Sequence, residues 1–387
     1  MNNLRRFCSL VTLLIAPFAL LGVGGDATPL PAKTYRAYVG TYTANTNSKG
    51  IYEFQFDAAS GKMSAAEVAG NTKDPSWVVV HPSGKFLYSV NEMGKASTVS
   101  AFAIDSKNGK LTLLNQLPSL GEDPCYLSFD RTRNFLFVAN YTSGAVAAFP
   151  ILTDGKLGEH TGLQQDSGTL GPNKERQDGP HAHFIAPSEQ NRFVYVADLG
   201  LDRVLIYKFD SGKGALVQLG TKAFAELKPG TGPRHIAFSG DGKFMYVVGE
   251  MESTVTVFAK ENQASFRAIQ TERMLPSGFS GRNDAAEIEI HPNGKFLYAS
   301  NRGHDSIVVY AIDRRSGMLN QVADVPTGGK EPRHFAIDPS GHFLLAENQL
   351  SDSIVEFRID AATGKLTATG ETLSVPSPVC MVFGPIN

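Results

Sequence analysis

A twelve-residue stretch, SGDGKFMYVVGE (239–250), decides the fold of this chain. It begins with the turn residues Gly240-Asp241-Gly242-Lys243 and continues with alternating apolar residues, so together with the apolar run before it the stretch predicts a β-hairpin. Five similar stretches occur: HPSGKFLYSVNE (81–92), DRTRNFLFVANY (130–141), APSEQNRFVYVADL (186–199), HPNGKFLYASNR (291–302) and DPSGHFLLAENQ (338–349). Their phenylalanines lie at positions 86, 135, 193, 244, 296 and 343, a repeat of about 50 residues.

A repeat of this length that contains only strands and turns is typical of a β-propeller. Each repeat holds a second hairpin signal, for example FAIDSKNGKLTLL (102–114), and two hairpins supply the four strands of a blade. The segments YRAYVGTYT (35–43) and IYEFQFDAASGKMSAAEV (51–68) predict three more strands, and SPVCMVFGP (377–385) predicts the fourth. We therefore predict an all-β fold, a seven-bladed β-propeller with four-stranded blades, closed by N- and C-terminal strands in one blade. Such closure removes free sheet edges.

The first residues have the composition of a targeting segment. In MNNLRRFCSLVTLLIAPFALLGVGGDATPLPA (1–32), two arginines precede an uncharged stretch from Phe7 to Val23, and small residues follow. This pattern predicts a signal peptide over residues 1–27, with cleavage as late as residue 32, followed by a single propeller domain over 33–387. The protein is then exported, either periplasmic or secreted. The alternative is an N-terminal anchor, for which the stretch is short and is interrupted by Pro17.

Composition excludes several classes of partner. The chain has 387 residues and a formal net charge of −2, with no basic stripe, so we expect no nucleic-acid partner and, after signal removal, no membrane partner. Cys125 and Cys380 are too few and too distant for a metal site or disulfide framework, and we predict free thiols. No Gly-x-Ser-x-Gly, Walker, Rossmann or His-Glu-x-x-His motif occurs, so no cofactor is predicted. We favour a monomer.

Equivalent positions can be compared between blades once the phenylalanines are aligned. The first strand usually follows a proline, and the next two residues are ionisable only in blades three to six. A requirement of the fold would recur in every blade, so this asymmetry predicts a site at one mouth of the central channel. At the far end of the hairpin, Glu250, Arg302 and Gln349 occupy equivalent positions. The ionisable residues predicted to converge are His181, Arg234, His235, Glu250, Glu287, Arg302, Arg333 and His334.

Two inserted loops, DSGTLGPNKERQDG (166–179) and PSGFSGRNDA (276–285), precede blades three and five and are predicted to overhang the same mouth. His183 lies two residues beyond His181 and is ranked below it, and Asp284 is a loop residue of undefined orientation. Asn91, Asn140, Asp198, Asn301 and Asn348 recur in most blades, which favours a turn-capping role. Convergent cations in a concave site predict a small anionic ligand.

Five stretches together resemble the propeller-type lactonase family, which includes cytosolic 6-phosphogluconolactonase and the fungal 3-carboxymuconate lactonising enzyme. They are YVGTYT (38–43), DGPHAHF (178–184), GPRHIAF (232–238), NDAAEIEIHPNGKFLYASNR (283–302) and EPRHFAIDPSG (331–341). The resemblance implies a seven-bladed propeller and catalytic roles for His181, Arg234, Glu250 and Arg302. From the aligned blade positions, we assign substrate binding to His183, His235, Glu287, Arg333, His334 and Gln349.

Those residue types suit lactone hydrolysis, which needs a base for water, donors for the oxyanion and an acid for the leaving alkoxide. The arginines can hold an acid group and the oxyanion, while His181 and Glu250 remain interchangeable as proton-transfer groups. The leading hypothesis is thus an exported, metal-independent lactonase acting on a small acidic sugar or aromatic-acid lactone, similar to 6-phosphogluconolactonase. Alternatives are a muconate-type cycloisomerase running ring closure, a non-enzymatic ligand- or protein-binding propeller and, ranked low, a metal-dependent lactonase.

Overall fold

A computed structural model describes residues 33–220, 223–262 and 264–385, which form seven consecutive antiparallel sheets. The sheets are numbered as blades one to six in the chain order of the recurring phenylalanines at positions 86, 135, 193, 244, 296 and 343. The sheet that contains both ends of the described chain is the seventh, or closing, blade. The strands of blade one are Val78–Val80, Phe86–Asn91, Thr98–Ile104 and Leu111–Pro118. Those of blade two are Pro124–Phe129, Phe135–Asn140, Ala145–Pro150 and Gly162–Gln165. Those of blade three are Ala182–Pro187, Phe193–Asp198, Arg203–Asp210, Ala215–Gln218 and Phe224–Glu226. In blade three the last two short strands both pair with the third strand and share the outer position.

The remaining four blades have four strands each. The strands of blades four and five are Pro233–Phe238, Phe244–Gly249, Thr254–Asn262 and Ser265–Arg273; and Asp284–Ile290, Phe296–Arg302, Ser306–Ile312 and Leu319–Pro326. Those of blade six and the closing blade are Pro332–Ile337, Phe343–Asn348, Ser353–Ile359 and Leu366–Ser374; and Pro378–Pro385, Thr34–Thr41, Gly50–Asp57 and Glu67–Asn71. Short 3₁₀ turns span Gly94–Ala96 and Gln349–Ser351, and no helix in the described ranges is long and apolar enough to cross a membrane.

The two ends of the described chain meet in the closing blade, as predicted. The last strand pairs antiparallel with the first, from Arg36 opposite Gly384 to Gly40 opposite Cys380. The first strands of successive blades contact each other around the ring, and the apolar clusters fill the spaces between neighbouring blades. The seven-bladed prediction is confirmed. The predicted signal peptide, with Cys8, lies outside the described residues.

The recurring phenylalanines connect one blade to the next. A Cβ built at Gly317, on the outer hairpin of blade five, would lie 2.3 Å from the ring of Phe244 in blade four. The same glycine has φ +75°, a conformation that L side chains rarely adopt, and its carbonyl accepts a 3.0 Å hydrogen bond from the Tyr246 hydroxyl. Gly364 repeats this arrangement with Phe296 and Tyr298. The phenylalanine therefore recurs because it packs against a glycine of the following blade.

An irregularity at the start of the first strand aims side chains into the channel. In blades two to six and in the closing blade the pairing register shifts near the mouth, so that one extra residue is inserted. Such a β-bulge redirects the side chains beside it. We call the residue that follows the last pairing position before the shift the bulge position. In these blades it is occupied by Cys125, His183, Arg234, Ala286, Arg333 and Val379.

The predicted register of blade three was wrong by two residues. Ala182 pairs with Asp198, just as Pro233 pairs with Gly249 in blade four. His183, rather than His181, is therefore the equivalent of Arg234. The error arose because Pro180 precedes His181 in the same way as Pro233 precedes Arg234, although Pro180 lies outside the strand.

Candidate active site

A cavity of about 370 Å³ opens at the mouth of the channel where the bulges lie. Its wall combines bulge residues, residues at the far ends of the hairpins and residues of the two inserted loops, which confirms that both loops reach this mouth. The lining residues are Glu92, Cys125, Tyr141, Arg176, His183, Glu250, Arg282, Asp284, Arg302 and Arg333. Arg234 lies directly behind Glu250.

Glu250 is the centre of the charge arrangement. Its Oε2 lies 3.2 Å from Nε of Arg234 and 3.2 Å from Nη2 of Arg302, while its Oε1 contacts Arg176. Burial alone would raise the pKa of Glu250, but these guanidinium groups hold it well below its usual range. Glu250 is therefore a carboxylate at any physiological pH and fixes the arginines around it.

The two inner arginines are nearly inaccessible to solvent. Arg234 donates to the carbonyl of Ala286 at 2.7 Å, and Arg302 donates to the carbonyls of Asp284 and Ala285 at 3.2 and 3.3 Å. Burial and the neighbouring Arg302 and Arg333 lower the pKa of Arg234 to about 10, so it still carries its charge at neutral pH. Their geometry is set by backbone acceptors before any ligand arrives.

The outer part of the cavity is built by the inserted loops. Arg176 contacts both Glu250 and Asp284, and Arg282 donates to Asp284 at 2.8 Å. Gln177, which is fully buried, holds the first loop by donating to the carbonyl of Leu199 and accepting from the backbone of Asn173. Arg176 is partly exposed and Arg282 is largely exposed, so these two cations face the entrance.

The opposite wall contains a third acidic residue, Glu92. Glu92 Oε2 accepts a 2.9 Å hydrogen bond from the hydroxyl of Tyr42, which itself accepts a 3.0 Å hydrogen bond from Arg333. The Arg333 guanidinium also lies over the ring of Tyr42. Four arginines and three carboxyl groups line the cavity, and the charge of Arg234 lies directly behind Glu250, so positive charge is in excess there.

His183 is the imidazole that reaches the cavity. It is buried in the wall, and its Nδ1 has no hydrogen-bond partner within the described part of the chain. Burial and the charge of Arg234 hold the pKa of His183 well below its ordinary value, so the ring is neutral at neutral pH. A buried polar atom without a partner is typical of a functional site.

His181 lies behind this wall. Its ring stacks on Tyr141 with the centroids 4.7 Å apart, its Nδ1 lies 3.1 Å from the carbonyl of Tyr141, and its Nε2 lies 2.9 Å from Asp178. Both ring nitrogens therefore have partners. Gln349 is half-buried at the start of a 3₁₀ turn and does not line the cavity.

Three of the predicted binding residues form a separate layer below the cavity. His235 contacts Glu287 at 2.9 Å, and His334 contacts Glu347 at 2.5 Å and Glu287 at 3.5 Å. The Trp77 ring packs edge-on against both imidazoles. We call this set the lower layer: Trp77, Tyr126, Phe184, His235, Glu287, His334 and Glu347.

The two histidines of the lower layer differ in charge. Burial would lower the pKa of His334, but Glu347 and Glu287 raise it to about 9. Burial, Arg234 and His334 hold the pKa of His235 well below its ordinary value. The lower layer thus contains one cationic imidazole, one neutral imidazole and their carboxyl partners, all enclosed.

Sequence reasoning gave no role to several residues that line the cavity. Glu92 and Tyr141 stand at the same hairpin position as Glu250, which is a signal available in the aligned repeats. Arg176 and Arg282 lie in the inserted loops, whose path over the mouth was predicted but whose individual side chains were not. Cys125 lies at the bulge position of blade two, and both it and Cys380 are buried free thiols, as predicted.

Comparison with known proteins places this geometry in a family. The model of the lactonase family with a seven-bladed β-propeller matches residues 36–383. The chain belongs to this family. Over 350 residues it is 37% identical to the 6-phosphogluconolactonase of Bacillus subtilis, covering 90% of this chain and 98% of that protein.

Two solved structures extend the likeness to three dimensions. The periplasmic gluconolactonase of Pseudomonas aeruginosa superposes with a TM-score of 0.86 at 33% identity, covering 92% of this chain and all of that one. A candidate 6-phosphogluconolactonase from Bacteroides fragilis superposes with a TM-score of 0.84 at 35% identity, covering 91% and 98% of the two chains. The resemblance predicted from short motifs is confirmed, and the lactonase family is one of lactone hydrolases.

Proposed function

We propose that this lactonase-family chain hydrolyses a small lactone that carries an acid group, derived from a sugar or an aromatic acid. The observation that carries the proposal is a cavity lined by four arginines and by the neutral imidazole of His183, whose Nδ1 has no hydrogen-bond partner in the described part of the chain. The names of the Bacillus and Pseudomonas relatives support a sugar lactone of the gluconolactone type. The cavity volume suits a ligand of that size.

The roles of the residues follow from their charge and exposure. The exposed cations Arg176 and Arg282 attract the acid group, and Arg333 holds it from the opposite wall. Arg302 donates to the oxyanion that forms when water attacks the lactone carbonyl, and Arg234, behind Glu250, adds its positive charge. Glu250 keeps the two guanidinium groups in place.

His183 accepts the proton of the attacking water. Its pKa is low in the empty cavity because of burial and Arg234, and an anionic substrate offsets part of that positive charge and makes the imidazole more basic. We therefore assign to His183 the base role that the sequence favoured for His181. We assign the polarisation of the lactone carbonyl to the guanidinium groups of the wall and therefore propose metal-independent hydrolysis.

Assays on the purified propeller domain test this function. The panel contains glucono-1,5-lactone, its 6-phosphate, a carboxylate-bearing aromatic lactone and a neutral lactone, each with and without EDTA. We expect ring opening with a higher kcat/KM for the acidic lactones than for the neutral one, and the same activity in EDTA. In His183→Ala we expect kcat/KM to fall about 10²–10⁴-fold. Accumulation of lactone from an unsaturated dicarboxylate would favour cycloisomerisation, and turnover of none of these compounds would favour a binding propeller.

We also propose export, with residues 1–27 or slightly more removed. The charge and apolar pattern of residues 1–32 supports this, as does the similarity to a periplasmic enzyme. N-terminal sequencing of protein recovered from the periplasm or medium of its host tests the proposal. A mature protein that begins at Met1, or that is found only in the cytosol, would refute it.

A further inference from the structure

Two glutamates occupy the same hairpin position on facing walls of the cavity. Glu92 follows Phe86 in blade one by six residues, and Glu250 follows Phe244 in blade four by six residues. Both side chains line the cavity. Their surroundings differ, however, and this difference separates their chemical roles.

Glu250 cannot readily carry a proton. Arg234, Arg302 and Arg176 contact its two carboxylate oxygens, and protonation would leave three guanidinium groups without their shared counter-ion. Glu250 is therefore a fixed charge. A proton donor for the leaving oxygen must be found elsewhere in the wall.

Glu92 has none of these ion pairs. Within the described residues, no lysine or arginine nitrogen lies within 4 Å of its carboxyl group, which faces the neutral hydroxyl groups of Tyr42 and Ser76. Burial raises the pKa of Glu92 even though Arg333 lies near. A carboxyl group in such surroundings retains its proton at a higher pH than Glu250 does.

We propose that Glu92 is the general acid of this cavity, giving its proton to the ring oxygen of the lactone as the ring opens. The assignment rests on the proposed hydrolysis. Water loses a proton to the His183 imidazole and forms a bond to the carbonyl carbon. The bond between that carbon and the ring oxygen then breaks, and the ring oxygen takes the proton of Glu92. The His183 imidazolium and Glu92 carboxylate return to their starting states by proton exchange through solvent.

The experiment compares two leaving groups in one ring size. The probes are a carboxylate-bearing δ-valerolactone, whose leaving oxygen is an aliphatic alkoxide, and a carboxylate-bearing dihydrocoumarin, whose leaving oxygen is a phenolate. Phenolate leaves without help, since its conjugate acid has a pKa of about 10. An aliphatic alkoxide is a far stronger base and needs the acid.

The test variant is Glu92→Gln, which keeps the size of the side chain and removes its acidic proton. We expect kcat/KM to fall by about 10²-fold or more for the aliphatic lactone and by less than about 5-fold for the phenolic one. In the parent protein kcat/KM for the aliphatic lactone should decline on the alkaline side as Glu92 ionises, and Glu92→Gln should lack that decline.

Two controls separate catalysis from structure. Glu356→Gln removes another buried carboxyl group whose pKa is raised by burial. Glu356 lies on the third strand of blade six, outside the cavity wall. This variant should leave the ratio of kcat/KM for the aliphatic lactone to kcat/KM for the phenolic lactone unchanged. Tyr42→Phe removes the hydroxyl group that donates to Glu92 and accepts from Arg333. If Glu92 acts only through Arg333, Tyr42→Phe should reproduce the loss seen in Glu92→Gln.

Each outcome is decisive. A selective loss on the aliphatic lactone in Glu92→Gln alone supports the assignment. An equal loss on both lactones, or the same loss in Tyr42→Phe, overturns it while leaving the hydrolase intact. If the parent protein opens neither lactone, the proposed hydrolysis fails, and the role of Glu92 fails with it.

Discussion

The cavity and the lower layer are formed by neighbouring residues of the same strands, yet their physical character is opposite. At two bulge positions, Arg333 lines the open cavity and Arg234 lies directly behind its wall, whereas His235 and His334, the next residues along, are buried against Trp77. In the cavity the arginines outnumber the carboxyl groups. In the lower layer each histidine has a carboxyl partner. The bulge thus separates the residues to which we assign anion binding from a buried set of paired histidines and carboxyl groups.

The largest expected effect is on activity, and it comes from the cavity. Arg302→Ala removes a donor to the oxyanion, so we expect kcat/KM to fall about 10²–10³-fold. Arg234 and Arg176 still compensate the charge of Glu250, so the melting temperature should change by only a few degrees. Steady-state kinetics and thermal unfolding of the same preparation check both statements. An unstable variant that retains full activity would place Arg302 among the structural residues.

The lower layer should respond in the reverse way. Glu347→Gln breaks the contact to His334 in a fully buried site and should lower the free energy of unfolding by about 3 kcal/mol. Because Glu347 does not line the cavity, kcat/KM of the folded fraction should stay within about 3-fold of the parent. Denaturant unfolding and kinetics at a temperature well below the transition measure the two quantities. A large loss of activity with unchanged stability would erase the distinction between the layers.

The lower layer also predicts how stability depends on pH. His334 has a folded-state pKa of about 9, against about 6.5 when unfolded, so between these values the folded protein holds a proton that the unfolded chain has lost. The contribution of His334 to the free energy of unfolding is full below about pH 6.5 and is lost as the pH rises through about 9. Burial raises the pKa of Glu289 to about 8, which acts in the same direction.

We therefore expect the free energy of unfolding to decrease by about 1–3 kcal/mol between pH 6.5 and 9. Denaturant unfolding across this range measures it. The decrease in the free energy of unfolding with pH should be smaller in Glu347→Gln, because this variant removes the main cause of the raised pKa of His334. A flat profile in the parent protein would show that His334 is not charged in the fold.

The smallest effect is expected at His181, immediately outside the cavity. His181→Ala removes the ring stacked on Tyr141 and both of its polar contacts, but no group in the cavity wall. We expect kcat/KM to fall by less than about 10-fold, mainly because Tyr141 becomes less well positioned. The matched variant is His183→Ala. If His181→Ala is the more damaging of the two, the base is His181, as the sequence first indicated.

Periodicity was sufficient to predict the blades and their closure. Phe244 and its five equivalents mark the same hairpin, and each hairpin forms with the expected turn. What the repeats could not reveal is the bulge, because one inserted residue leaves the strand pattern almost unchanged. His183 was therefore placed two residues out of register, and Glu287 and His334 were expected in the cavity although they lie in the layer below. Arg176 was beyond sequence reasoning because its position depends on how Gln177 holds a loop that has no equivalent in other blades.

The pairing of the two chain ends has a consequence for how the protein is made. The closing blade takes three strands from residues 34–71 and its fourth from residues 378–385. A ribosome delivers the first three early and the fourth only at the end of translation, so the nascent chain holds an unpaired sheet edge for most of its synthesis. Blades one and six, which carry Glu92 and Arg333, become fixed in position only when that last strand docks. A prematurely terminated chain should therefore be both inactive and prone to aggregate through its open edge.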